Sequence, residues 1–98
     1  MGRFTIILED EHEKWQEILS PEFSIPDSEI FQSDKYKLLK YLDPFGNTIF
    51  NHLQMDNLVE DLEILKPIFN QAEVIDAIIE LANKCQEGVH MYLTFSGD

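Results

Sequence analysis

The hydrophobic pattern of this chain changes its period at Gly88. Over residues 75–85 the apolar side chains recur at the spacing of one helical face, at Ile75, Ile78, Ile79, Ala82 and Cys85. After Gly88, a residue type that commonly ends helices in the left-handed conformation, residues 89–95 alternate as a strand does. An isolated strand leaves its backbone groups unpaired, and residues 4–8 (FTIIL) offer the natural neighbour. The pattern therefore predicts a helix followed by a strand that joins a sheet.

A capping box, in which Ser, Thr, Asp or Asn is followed three residues later by Glu or Gln, marks helix starts. It stands before an apolar stripe at Asn51 with Gln54, at Asn70 with Glu73, and at Asp10 with Glu13. The first predicts a helix with a leucine stripe that ends before Pro67, and the second predicts the helix that ends at Gly88. The third predicts a short N-terminal helix over residues 11–19.

The segments between these helices carry weaker signals. Residues 20–35 contain two prolines and no sustained period, which predicts a loop. Residues 36–42 (YKLLKYL) fit a helix and a strand equally, so both interpretations stay open. Residues 43–47 (DPFGN) predict a tight turn, and with residues 48–50 beyond them a β-hairpin is the economical interpretation.

These elements together predict one domain over residues 1–98 with an α+β fold. We expect a three- or four-stranded, mostly antiparallel sheet with two longer helices on one face and a short N-terminal helix at an edge. The single cysteine cannot form an internal disulfide, and the N-terminal apolar run is too short for a secretion signal or a membrane span. We therefore expect a cytoplasmic protein that does not contact a membrane.

The charge of the chain is strongly unbalanced. Its 19 acidic and 7 basic residues give a formal net charge of −12. Such a field repels phosphate backbones, so nucleic-acid binding is disfavoured. It also speeds the encounter with cationic proteins, so a basic protein is the expected partner. Acidity that serves only solubility is an equally good account of the same number.

Two groups of acids and a set of aromatic residues form the candidate partner-binding site. The acids occur in an N-terminal run and on the wet face of the helix that starts near Asn51, and the aromatics lie around the proline-containing loop. The candidate residues are Glu9, Asp10, Glu11, Glu13, Trp15, Phe23, Phe31, Glu60, Asp61 and Glu63. Aromatic anchors with an acidic rim suit a protein interface. In the simpler interpretation, the acids are a solvated surface and the aromatics close the core.

No residue set predicts a reaction centre, a metal site or a cofactor. His12, His52 and His90 lack the spacing of a zinc site, and no Cys-x-x-Cys pair or glycine-rich phosphate loop occurs. Cys85 falls on the apolar stripe, where an inert buried thiol is expected. We therefore expect a protein that is not an enzyme. The rival hypothesis is a small hydrolase or isomerase that uses carboxylates and His90.

Two segments carry a resemblance to known proteins. Residues 42–54 (LDPFGNTIFNHLQ) and 90–98 (HMYLTFSGD) resemble a group of small acidic bacterial proteins of unassigned function. The resemblance implies a bacterial origin and a free-standing domain, and it brings no catalytic or binding residues. At class level, the chain is similar in size and charge to immunity proteins, which neutralise cationic toxins.

The favoured hypothesis is a protein-binding module, or an inhibitor of the immunity type, that acts on a basic partner. An alternative from another class is a homo-oligomeric structural or accessory subunit that associates through an open sheet edge. Under these hypotheses the chain is a monomer or a homodimer.

Overall fold

The computed structural model describes residues 2–12, 14–25, 34–43, 45–68, 71–88 and 90–97. The described strands are β1 (Gly2–Glu9), β2 (Trp15–Ile25), β3 (Asn47–Asn51) and β4 (Tyr92–Gly97). The described α-helices are α1 (Met55–Leu65) and α2 (Ala72–Glu87), and two short 3₁₀ helices span Leu39–Tyr41 and His52–Gln54. The strands form one antiparallel sheet in the order β2-β1-β4-β3. The predicted α+β class and the pairing of the first and last strands are confirmed.

Both helices pack on the same face of the sheet, called the inner face below, as predicted. Its side chains and those of α1 and α2 form one buried cluster that includes Phe4, Ile6, Leu8, Phe23, Phe50, Leu58, Leu62, Ile75, Ile78, Leu93 and Phe95. At its centre the Phe95 ring meets the Phe50 ring edge-on at 5.6 Å and the Phe4 ring at 6.3 Å. Edge-to-face contacts of this kind add to the stabilisation that burial provides.

The predicted N-terminal helix over residues 11–19 is wrong, because that segment turns back and forms β2. The Asp10 carboxylate accepts hydrogen bonds from the N–H groups of His12 (2.9 Å) and Lys14 (3.0 Å), which closes a turn between β1 and β2. Ile18 and Leu19 then lie on opposite faces, paired with β1. An Asp side chain bonds the backbone of a turn as readily as it caps a helix, so the capping pattern could not separate the two.

The predicted loop over residues 20–35 is wrong for its first part. Residues 20–25 continue β2, whose pairing with β1 shifts register twice. We predicted a loop because proline usually breaks a strand. A bulged edge strand tolerates proline, so β2 can contain Pro21. Residues 26–33 lie outside the described part of the chain.

The start of α1 matches the sequence prediction. Asn51 Oδ1 accepts from the N–H of Leu53 at 3.0 Å, and Gln54 Oε1 accepts from the N–H of Asn51 at 2.9 Å. This reciprocal capping box opens with the 3₁₀ helix and leads into α1. The predicted cap of α2 is different, because Asn70 lies outside the described residues and the described N-cap is Gln71, whose side chain makes no cap bond.

The change from helix to strand near Gly88 is confirmed, but the reason for the glycine is not the predicted one. Gly88 has φ −94° and ψ 130°, an extended conformation that any residue adopts. A Cβ atom at this position would collide with the Met91 side chain. Close approach of Met91 therefore explains the glycine.

Of the two interpretations of residues 36–42, the strand is wrong and the helix is present only as one short 3₁₀ turn. The segment buries Tyr36, Leu39 and Leu42, which lie three residues apart, and it contains the 3₁₀ helix. The predicted hairpin is wrong, because β3 pairs only with β4 among the described strands. The predicted tight turn is present: Gly46 N–H donates to the Asp43 carbonyl at 3.2 Å. It leads from the 3₁₀ helix into β3.

Candidate functional site

The face of the sheet opposite the helices, called the outer face below, carries the candidate site. One row of side chains crosses it in register from edge to edge: Ile18, Ile7, Thr94 and Ile49. The two edge residues, Ile18 and Ile49, are 49% and 57% exposed. Thr94 is only 2% exposed, and its Oγ1 has no hydrogen-bond partner among the described residues. The row is therefore apolar at both edges and holds an unpaired hydroxyl near its middle.

A shallow cavity of about 210 Å³ lies at one end of the outer face and is called the acid-lined cavity below. Its lining residues are Glu9, Asp10, Glu11, Ile49 and Tyr92. The sheet register places Glu9 directly opposite Tyr92, and Ile49 belongs to the next row of the same face. Three carboxylates thus surround an aliphatic and an aromatic side chain. Such a surface fits a cationic side chain with an apolar stem.

The three acids of the cavity are not equivalent, because Asp10 also holds the turn between β1 and β2. The hydrogen bond from the Lys14 N–H, followed by that from His12, lowers the pKa of Asp10 below its ordinary value of 3.8. The Asp10 N–H in turn donates to the Lys14 carbonyl at 3.0 Å. Asp10 therefore shapes the cavity, and Glu9 and Glu11 are the carboxylates outside these turn bonds.

Two histidines approach the carboxylate of Glu11. His12 Nε2 lies 3.5 Å from Glu11 Oε1, and His90 Nδ1 lies 3.6 Å from Glu11 Oε2. All three side chains are exposed to solvent, and both distances exceed those of a good hydrogen bond. Exposed contacts of this kind contribute little to stability. The histidines therefore add polar groups to the rim and do not fix Glu11.

The second predicted group of acids does not join this site, since α1 packs on the inner face. Asp61 is fully buried, and its carboxylate accepts from the backbone N–H groups of Lys37 (3.0 Å), Leu38 (2.7 Å) and Leu39 (3.0 Å). The prediction that Asp61 binds a partner is therefore wrong, because this carboxylate anchors a neighbouring segment. Glu60 and Glu63 are exposed, and Glu60 pairs with Lys37 Nζ at 3.3 Å.

The predicted aromatic anchors also separate. Phe23 is fully buried on the inner face, with its ring 6.5 Å from the Phe4 ring, so its predicted role in docking is wrong. Trp15 begins β2 opposite Glu9, but its side chain lies outside the described part of the structure. Glu13 and Phe31 also lie outside the described residues.

Sequence reasoning missed Ile49 and Tyr92 as candidates. Each looks like an ordinary strand residue, and only the strand order brings both next to Glu9. The signal that could have found Tyr92 is the alternation of residues 89–95, which puts it on the face opposite Leu93. That Tyr92 lies beside Glu9 depends on which strands pair, and the pattern of a single strand does not predict this.

The remaining reactive groups offer little chemistry. Cys85 is fully buried in the core, as its place on the apolar stripe predicted, and burial raises the pKa of its thiol to about 11. Among the described residues, no three His, Cys, Asp or Glu side chains are placed to hold a metal ion.

No protein-family model, curated protein or solved structure matches this chain. None of the described helices is long and apolar enough to cross a membrane. The fold and the acid-lined cavity are therefore the basis for a functional proposal.

Proposed function

We propose that this chain is a protein-binding module that holds a basic partner at the acid-lined cavity and blocks it in the manner of an immunity protein. The observation that carries the proposal is the placement of Glu9, Asp10 and Glu11 around Ile49 and Tyr92 in one cavity. The proposal gives the acidity of the chain a role beyond solubility.

The dimensions and chemistry of the cavity suit the side chain of an arginine or a lysine. A volume of about 210 Å³ accommodates one long side chain. Its methylene stem can lie on Ile49 and Tyr92 while its charged end meets the carboxylates of Glu9 and Glu11. A cation near the Tyr92 ring gains further from the electron-rich face of that ring. The net charge of −12 draws a basic protein toward this surface over a longer range.

The geometry supports binding over the rival hypothesis of a hydrolase or isomerase. Acid–base catalysis by Glu11 and His90 requires a proton-transfer distance and a shielded site. The two groups lie 3.6 Å apart, and both are exposed.

Capture of partners from bacterial extract by the immobilised chain tests the proposal. The site variant is Glu9→Gln with Glu11→Gln, and the matched control is Glu60→Gln with Glu63→Gln on α1. Both variants change the formal charge from −12 to −10, so only the position of the lost charge differs. We expect the wild type and the control to retain a basic protein at about 0.1 M salt. We expect the site variant to lose it, with at least about a tenfold weaker Kd once that partner is purified.

Salt dependence gives a second readout. Raising the salt to about 1 M shortens the screening length from about 10 Å to about 3 Å, and the captured protein should then elute. Equal retention by the site variant and the control would contradict the assignment of the cavity. Failure of the wild type to retain any basic protein at low salt would contradict the function itself.

A further inference from the structure

The two edges of the sheet are built differently. At the β2 edge, the Gln71 side chain donates to the carbonyl of Ser24 at 2.6 Å and accepts from the Ser24 N–H at 3.2 Å. The same strand contains Pro21, which has no N–H group, and its pairing with β1 shifts register twice. Proline, bulges and covered backbone groups all block the addition of another strand. The β2 edge is therefore protected.

The β3 edge is less protected: among the described residues, only the Asn51 N–H is covered, by Gln54 Oε1 at 2.9 Å. Its sequence, NTIFN, contains no charged residue and no proline, and its five residue pairs with β4 run without a register shift. An uncharged, regular edge strand is a template for strand addition.

The pairing of β3 with β4 shows which backbone groups of β3 point outward. Gly97 N–H donates to the Gly46 carbonyl at 2.7 Å, and in an antiparallel ladder alternate residues face the neighbouring strand. Thr48 and Phe50 therefore bond to β4, and Asn47 and Ile49 turn their N–H and C=O groups away from it. Among the described residues, none provides a hydrogen-bond partner for these outward groups.

Exposed apolar side chains are arranged symmetrically along this edge. Ile49 is 57% exposed, and the large apolar residues four positions before and after it, Phe45 and Leu53, are 86% and 78% exposed. In an antiparallel pair of β3 strands with its two-fold axis at Ile49, the turn that carries Phe45 lies at the same end as the 3₁₀ helix that carries Leu53 of the other copy. The edge is thus complementary to itself, as an interface of two-fold symmetry requires.

We infer that a second copy of this chain adds to β3 in antiparallel orientation and joins the two sheets into one. The two Ile49 residues exchange both backbone hydrogen bonds across the two-fold axis. Each Asn47 N–H donates to the Asn51 carbonyl of the other copy. The Asn51 N–H already donates to Gln54 Oε1, so this register leaves no outward donor of β3 unpaired.

Charge favours a second copy over the basic partner as the occupant of this edge. Because β3 itself carries no charge, two β3 strands oppose no like charges; the carboxylates beside Ile49 belong to β1 and the turn after it. The net charge of −12 on each copy still opposes association at long range. Salt should therefore strengthen the dimer, whereas it should weaken the complex with a basic protein. The inference does not rest on the proposed function, and the opposite salt responses distinguish the two.

Sedimentation equilibrium of the purified chain, from about 5 to about 500 μM in about 0.05 and about 0.5 M NaCl, tests the inference. We expect a monomer–dimer equilibrium that tightens at the higher salt, because the screening length falls from above 10 Å to a few ångströms. The edge variant is Ile49→Lys. The matched control is Ile18→Lys, at the other end of the same row, where the side chain is 49% exposed.

Both substitutions change the formal charge from −12 to −11, which by itself slightly favours association. Ile49→Lys brings two ammonium groups together at the two-fold axis and should weaken the dimer at least about tenfold, while Ile18→Lys should leave it unchanged. Amide hydrogen exchange of the wild type provides a check that needs no variant. The N–H groups of Asn47 and Ile49 should exchange more slowly as concentration rises. A monomer at about 500 μM in high salt, or equal loss of the dimer in both variants, would overturn the inference.

Discussion

Gln71 binds the backbone of Ser24 in the way that a neighbouring strand would. Its side-chain amide donates to the Ser24 carbonyl at 2.6 Å and accepts from the Ser24 N–H at 3.2 Å. In the register of β1 with β2, Ser24 turns these groups away from β1, so the amide satisfies groups at the free edge. One residue before α2 therefore both closes the β2 edge and ties the helix layer to the sheet.

Replacing Gln71 with alanine should destabilise the fold by about 1 to 2 kcal/mol, because two partly buried backbone groups lose their partner. Urea unfolding followed by circular dichroism measures this change. Gln86→Ala is the matched control, since the Gln86 amide bonds the Asp56 carboxylate at 2.6 Å on an exposed surface. The control should change the free energy of unfolding by less than about 0.5 kcal/mol. Equal effects of the two substitutions would contradict the assigned role of Gln71.

Asp61→Ala should be among the most destabilising single changes in the described part of the chain. It would leave three backbone N–H groups at residues 37–39 without an acceptor, at a cost of about 3 kcal/mol or more. Asp61→Asn retains one acceptor oxygen and should cost about half as much. Glu63→Gln, an exposed carboxylate on the same helix, should have almost no effect. Loss of partner capture by Asp61→Asn without loss of stability would instead restore the docking role rejected above.

Alkaline pH should reveal the buried thiol of Cys85. Burial raises its pKa from 9.0 to about 11, so the unfolded chain releases this proton before the folded chain does. Its contribution to stability is complete below pH 9 and is lost as the pH rises toward 11. Burial, followed by the charge of Asp61, also raises the pKa of Tyr36, which adds a loss above pH 10.

Comparison with Cys85→Ala isolates the thiol, because the other groups titrate in both proteins. The free energy of unfolding of the wild type should fall more steeply between pH 9 and pH 11 than that of the variant. Parallel curves for the two proteins would show that the thiol is not buried in solution.

Asp10 should titrate below pH 3.8 in the folded chain, because backbone N–H groups of Lys14 and His12 stabilise its charged form. Its lowered pKa means that its contribution to stability is present above pH 3.8 and is lost as the pH falls through the folded value. Carboxyl chemical shifts followed by NMR through the acid range measure the midpoint. A midpoint at or above 3.8 would mean that the turn bonds do not form in solution.

Local signals in the sequence predicted the helical half of the fold. The capping box of Asn51 and Gln54 and the buried stripe of α2 depend on residues a few positions apart. Short-range sequence patterns are therefore enough to predict them. The N-terminal half depends on pairing between strands. There the same Asp10 pattern fits a turn or a helix cap, and only the bonds to Lys14 decide between them.

The candidate site was predictable only in part for the same reason. The acidic run at Glu9–Glu11 is visible in the sequence, but the cavity also needs Ile49 and Tyr92, which strand order brings to it. Asp61 shows the opposite case. It looks like one acid among several on a wet helix face, and its burial follows from docking of residues 37–39, which periodicity does not report.

The buried hydroxyl of Thr94 costs the middle of the sheet some stability, because no described residue offers it a hydrogen bond. Its Oγ1 is buried without a hydrogen-bond partner among the described residues, and valine has nearly the same outline without the polar atom. Thr94→Val should therefore raise the free energy of unfolding by about 1 kcal/mol. The substitution thus adds stability without changing a lining residue of the acid-lined cavity or a residue of β3, although Thr94 lies directly opposite Ile49. Substitutions at either surface can then be compared in a background that keeps them folded.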